Sequence, residues 1–118
     1  SSQGKLYEHS QYEFSKENMI KCLPGPMPMW RKEMNTKYGM FDEKLNFAGD
    51  WEMWLRAVSK GAKFKKIHQV LGLYYYNPEG LSTSPEKQQQ RFSEEKEIFH
   101  NYSEIFGPNY ERYRGYFR

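Results

Sequence analysis

A chain of 118 residues with 37% apolar side chains, about half of them aromatic, supports one domain whose core is built from Tyr, Phe and Trp. Its net charge of +3 is too small to argue for nucleic acid or an anionic membrane as a partner, and its single cysteine, Cys22, excludes an internal disulfide and a cysteine-based metal site. No apolar run approaches the roughly 20 residues that span a bilayer, and no signal peptide is visible.

A lone cysteine and the lack of a leader set the expectation of a reducing, cytoplasmic compartment, peripheral at the inner face of the membrane if the tail touches lipid. The chain opens on Ser1-Ser2-Gln3-Gly4 rather than Met, so it reads as a processed or excised piece of something longer.

In chain order, residues 1–22 are polar with scattered apolar positions, and Ser15-Lys16-Glu17-Asn18 begins a short helix ending near Cys22. Leu23-Pro24-Gly25-Pro26-Met27-Pro28-Met29-Trp30 excludes a helix, because alternate prolines remove donors and force their predecessors into extended backbone. Arg31 to Tyr38 reads as a short helix stopped by Gly39. Phe41-Asp42-Glu43-Lys44 is turn-like and leads through Gly49 into a central helix over 50–60.

That helix carries Trp51, Trp54, Leu55 and Val58 at i, i+3, i+4, i+7, an apolar stripe that assigns both tryptophans to the core. Gly61 is placed to close it. Asp50 stands before the stripe, where orphan N–H groups and the positive end of the helix dipole favour a carboxylate. Two readings of Asp50 stay open: a plain N-cap, or a base aimed into a cleft.

Lys63 to His68 and Val70 to Tyr76 are β-prone, and the second run, apolar on both faces, reads as a buried strand. Asn77-Pro78-Glu79-Gly80 ends it with turn chemistry, Asn77 serving as a turn-former. Ser84-Pro85-Glu86 then looks like an N-cap with Pro at the first helical position. The helix it starts runs to about Phe106, where Gly107-Pro108 stops it. The tail, 109–118, alternates aromatic residues with Arg112, Arg114 and Arg118 and reads as a frayed or helix-packing terminus. His9, His68 and His100 have no ligand spacing, so no metal site is expected on this chain. The order gives an α+β class, mainly helical with a small sheet or hairpin.

Three stretches occur in order: Gly25-Pro26-Met27-Pro28-Met29-Trp30-Arg31 followed by Tyr38-Gly39-Met40-Phe41-Asp42-Glu43; Gly49-Asp50-Trp51-Glu52-Met53-Trp54-Leu55-Arg56; and Leu71-Gly72-Leu73-Tyr74-Tyr75-Tyr76-Asn77-Pro78-Glu79-Gly80-Leu81-Ser82. Together they resemble the C-terminal, acceptor-binding half of a family 2 glycosyltransferase with the GT-A fold. The resemblance covers roughly residues 20–83, the last helix being a plausible continuation. It implies a partial GT-A domain without its Rossmann-like half, and places Asp50 on the catalytic base of this inverting class. It also implies acceptor contacts or loop organisation at Glu52 and Arg56, a substrate-binding place at Asn77, an apolar acceptor floor at Met27 and Met29, and a sugar-facing aromatic at Trp30.

The chain departs from the family pattern at Gly49, where an acid usually precedes the base, and at Tyr75 and Asn77, where Arg and His are usual. No Asp-x-Asp occurs, so the implied nucleotide-sugar donor and its Mg²⁺ or Mn²⁺ belong to sequence other than these residues. An acceptor-side fragment of this kind exposes apolar surface and self-associates. Without the family, Glu52 and Arg56 are an i, i+4 pair and Trp30 an anchor of the Pro-rich loop. The rival function is then a non-catalytic carbohydrate- or protein-binding module.

Overall fold

A computed structural model describes residues 8, 12–24, 28–72 and 85–117. Met27, Asn77, the Tyr74–Tyr76 half of the expected strand, the turn after it and the Ser84 cap lie outside the described residues.

The described chain is helical. A 3-10 turn over Glu17–Ile20 is followed by α1 (Glu33–Tyr38), α2 (Gly49–Ser59), α3 (Pro85–Asn101), α4 (Ser103–Phe106) and α5 (Pro108–Tyr113). Gly39, at φ 95°, stops α1 where the sequence places the stop. Gly61, at φ 103°, closes α2: its N–H reaches the Val58 carbonyl at 3.0 Å while the Ala62 N–H reaches that of Ala57 at 3.0 Å. This pair of bonds satisfies the last carbonyls of the helix.

The α+β expectation is not met among the described residues, because none of them forms a strand. Lys63 to His68 is irregular, and no second strand among the described residues runs beside it to complete a ladder. Instead Phe64 turns inward, edge-on to Phe14 and to Trp54, each at 5.7 Å between ring centroids. Val70 and Leu71, expected in a buried strand, are 68% and 67% exposed.

The C-terminal helix is shorter than its periodicity suggests, because the chain breaks at Tyr102 (φ −113°, ψ 29°) and restarts as α4. Gly107 then separates α4 from α5, so Pro108 opens a new helix as well as ending the old one. The tail folds back onto α3. Phe117 stacks on Phe99 at 4.5 Å, and His100 binds the Phe117 carbonyl through Nε2 (2.8 Å) and the Tyr110 hydroxyl through Nδ1 (3.0 Å).

The core is the apolar stripe of α2 closed by α3 and α4. Trp54, Met53, Leu55, Phe99 and Phe106 are almost wholly buried, and Trp51 stacks on Phe106 at 6.0 Å. The Trp51 indole N–H donates to the Met19 carbonyl at 2.8 Å, which joins the 3-10 turn to the core. Among the described residues no helix is long and apolar enough to cross a membrane. Phe99 is 0% exposed and touches Phe106, Tyr110 and Phe117 through its ring. Phe99→Ala therefore lowers unfolding free energy by about 3–5 kcal/mol in urea melts, whereas exposed Lys87→Ala changes it by less than about 0.5 kcal/mol.

Candidate functional site

Asp50 is not the N-cap of α2. Ala48 occupies that position, with no side-chain cap, and the Glu52 N–H makes the first helical bond to the Ala48 carbonyl at 3.1 Å. Asp50 is the second residue of the helix and is exposed. Its Oδ1 accepts the Trp51 N–H at 2.7 Å, and its Oδ2 accepts the Cys22 thiol at 3.6 Å. An accessible carboxylate thus stands at the positive end of a helix, with an oxygen turned to a half-buried thiol.

The backbone entering α2 is held by Glu94, which the sequence does not single out. This α3 side chain is 8% exposed, the only charged residue reaching that degree of burial among those described. Its Oε1 accepts the N–H groups of Phe47 (2.8 Å) and Ala48 (3.0 Å), and its Oε2 that of Asn46 (2.8 Å). Gln90, one turn earlier on α3, donates to Oε2 at 3.5 Å. Burial pushes the Glu94 carboxyl upward, but the three amides and Gln90 outweigh it and hold the group below the usual carboxylate range. Nothing in local sequence marks it, since its partners lie 46 to 48 positions away.

Trp30 packs against α2. Asp50 and Trp54 are one turn apart on one helix face, and the Trp30 ring meets Trp54 edge-on at 4.9 Å. The Trp30 indole N–H donates to Asn35 Oδ1 at 2.9 Å, while the Asn35 amide reaches the Gly39 carbonyl at 3.1 Å. The Trp30 ring anchors its loop on the core, and 37% of the residue is exposed. Met29 beside it is 85% exposed.

Glu52 and Arg56 point elsewhere. Two and six positions after Asp50, they project about 160° and about 120° away from it around α2. They form the i, i+4 pair through Arg56 Nη2 and Nε. Arg56 Nη1 donates to the carbonyls of Tyr38 (3.0 Å) and Met40 (2.8 Å), so it organises the loop after α1. Only glycine fits between those carbonyls, because a Cβ on Gly39 would come within 2.6 Å of Nη1 at a positive φ. Tyr102, at the break between α3 and α4, donates its hydroxyl to Glu52 Oε2 at 2.7 Å. The pair's polar atoms are therefore engaged inside the protein, and the structure does not bring them to Asp50.

A shallow, open depression between α3 and the loop before α2 is lined by Asp42, Lys44, Gln90, Glu94 and Glu97, and does not include Asp50. Among the described residues no group of three His, Cys, Asp or Glu side chains is placed to hold a metal ion. Comparison with protein-family models, with characterised proteins and with solved structures finds no match for this chain.

Burial, the hydrogen bond to Glu52 and the negative charge of Glu52 push the Tyr102 hydroxyl up to about 12, against an opposing effect of Arg56. The folded form then keeps a proton that the unfolded form surrenders near 10. This group's contribution to stability is complete below pH 10 and is lost as pH rises toward 12. In an alkaline titration followed by phenolate absorbance, Tyr102 ionises late, and Glu52→Gln brings that fraction down. A titration unaltered by Glu52→Gln contradicts the network.

Proposed function

We propose that this chain is the acceptor-binding part of an inverting, nucleotide-sugar-dependent glycosyltransferase, and that Asp50 is its general base. The observation that carries the reading is the ordered set of three sequence stretches around Gly25–Glu43, Gly49–Arg56 and Leu71–Ser82. Support comes from the placement of Asp50, an exposed carboxylate at the mouth of α2 with one oxygen on the Trp51 N–H and the other turned to the Cys22 thiol.

In this mechanism Asp50 takes the proton of an acceptor hydroxyl as its oxygen forms a bond to the anomeric carbon of the donor. The bond from that carbon to the nucleoside diphosphate breaks on the opposite face, and the leaving group departs with the electron pair. Trp30 and Met29 offer an apolar surface on which the C–H face of a sugar rests, and the family resemblance assigns Met27 to the same acceptor floor. Glu52 and Arg56 serve the site at one remove, by fixing the loop after α1.

The GT-A fold belongs to this proposal. So do a nucleotide-binding half, its Asp-x-Asp and its Mg²⁺ or Mn²⁺, all supplied by sequence other than these 118 residues. On the same reading the chain alone is inactive and works in the cytoplasm. Exposed Met40, Phe41, Val70 and Leu71 support contact with a second copy or with the donor-binding half. The exposed Met29, Trp30 and Phe41 also favour the second reading, a non-catalytic module that binds carbohydrate or protein.

Asp50→Asn separates the two. Asparagine keeps the shape of the side chain but cannot take the proton. In nucleotide-sugar turnover, measured with the donor-binding sequence present, the substitution lowers kcat by about two orders of magnitude or more with folding unchanged. Turnover that survives the substitution removes Asp50 as the base, and an unaltered protein that turns over no nucleotide sugar favours the binding module.

A further inference from the structure

We infer that Glu94 is a positioning residue for Asp50: the α3 carboxylate, by holding the three amides that precede α2, fixes the direction in which Asp50 leaves the helix. The inference rests on the reading of Asp50 as a base and deepens it.

The chain reaches α2 through a loop with few ties of its own. Within 41–48, the Leu45 N–H reaches the Asp42 carbonyl at 3.1 Å and the Lys44 N–H reaches Asp42 Oδ1 at 3.0 Å. The next three N–H groups, of Asn46, Phe47 and Ala48, all go to Glu94. Ala48 is at once the last of these donors and the residue whose carbonyl accepts the first helical bond of α2. Asp50 follows two positions later, in the same turn. The setting of that turn, and hence the direction of the Asp50 side chain, is therefore inherited from the carboxylate of α3.

Only a carboxylate does this. Glu94 accepts with both oxygens and presents no donor to the amides. Glutamine would offer a single acceptor and turn an NH₂ group toward at least one N–H. The negative charge also suits the positive end of α2, and Glu94 takes the amides ahead of the helix while Asp50 takes that of Trp51 within it. A base works only when held within a fraction of an ångström of its proton, and misplacement by about 1 Å costs on the order of a hundredfold in rate.

The test uses ¹⁵N,¹³C-labelled protein and the Glu94→Gln variant, with exposed Glu97→Gln as control. In Glu94→Gln the amides of Asn46, Phe47 and Ala48 exchange at least tenfold faster. The Trp51 amide, which donates to Asp50 Oδ1, and the Asp50 carboxyl carbon change their shifts together with them. Glu97→Gln leaves both signals in place. Should Glu94→Gln not fold, Glu94→Asp keeps the charge on a shorter arm and moves the same two signals.

In turnover assays with the donor-binding sequence present, Glu94→Gln lowers kcat about tenfold or more and leaves the donor KM unchanged. Faster exchange at 46–48 with no change at Trp51 or Asp50 overturns the inference, as does exchange that does not change. An unaltered protein that turns over no nucleotide sugar removes the base reading alone, because the spectra decide the positioning role without it.

Discussion

One buried carboxylate holds the protein's two main helical parts in register. Glu94 belongs to α3, yet its hydrogen bonds are spent on the backbone that leads into α2. Burying a charge is costly unless it is paired or hydrogen-bonded, and here three amides and Gln90 offset that cost. Remove the carboxylate and three N–H groups beside the core lose their acceptor. Remove the amides and a buried charge is left without compensation. The arrangement is therefore strict in both directions.

Further along α2 a second tie works on another face. Arg56 joins the helix to the loop after α1, and Tyr102 joins Glu52 to the far end of α3. Between the two ties the apolar stripe closes on Phe99 and Phe106, and Gly61 ends the helix. α2 is thus fixed at its mouth, along its polar face and at its end. The candidate base rides on an element held at these three places, as a proton acceptor of defined direction requires.

The sequence makes α2 legible because its signals are local. A stripe at helical spacing, with a glycine after the last turn, places the helix and its buried tryptophans within a residue or so. Gly39 is legible for the same reason, although its second role, making room for Arg56, depends on a residue seventeen positions on. What stayed hidden is non-local. Asp50 is the second residue of α2 and takes only the Trp51 amide, while Glu94 holds the three amides ahead of the helix from α3, and nothing near residue 94 announces it. Lys63 to His68 has the composition of a strand, yet a strand needs a neighbour, and none lies among the described residues. The Glu52–Arg56 spacing was readable, whereas the carbonyls and the Tyr102 hydroxyl that complete the network were not.

These placements divide the candidate residues. Asp50 is exposed at the mouth of α2 and Trp30 packs on Trp54 one turn on, while Glu52 and Arg56 are engaged with each other, the loop after α1 and Tyr102. Titration of the ¹⁵N-labelled chain with sugars, and separately with nucleoside diphosphates, tests that division most directly. An acceptor side predicts shift changes from sugar centred on Cys22, Trp30 and Asp50, with none from nucleotide. A response to nucleotide but to no sugar, or a sugar response confined to the depression beside Glu94, contradicts it.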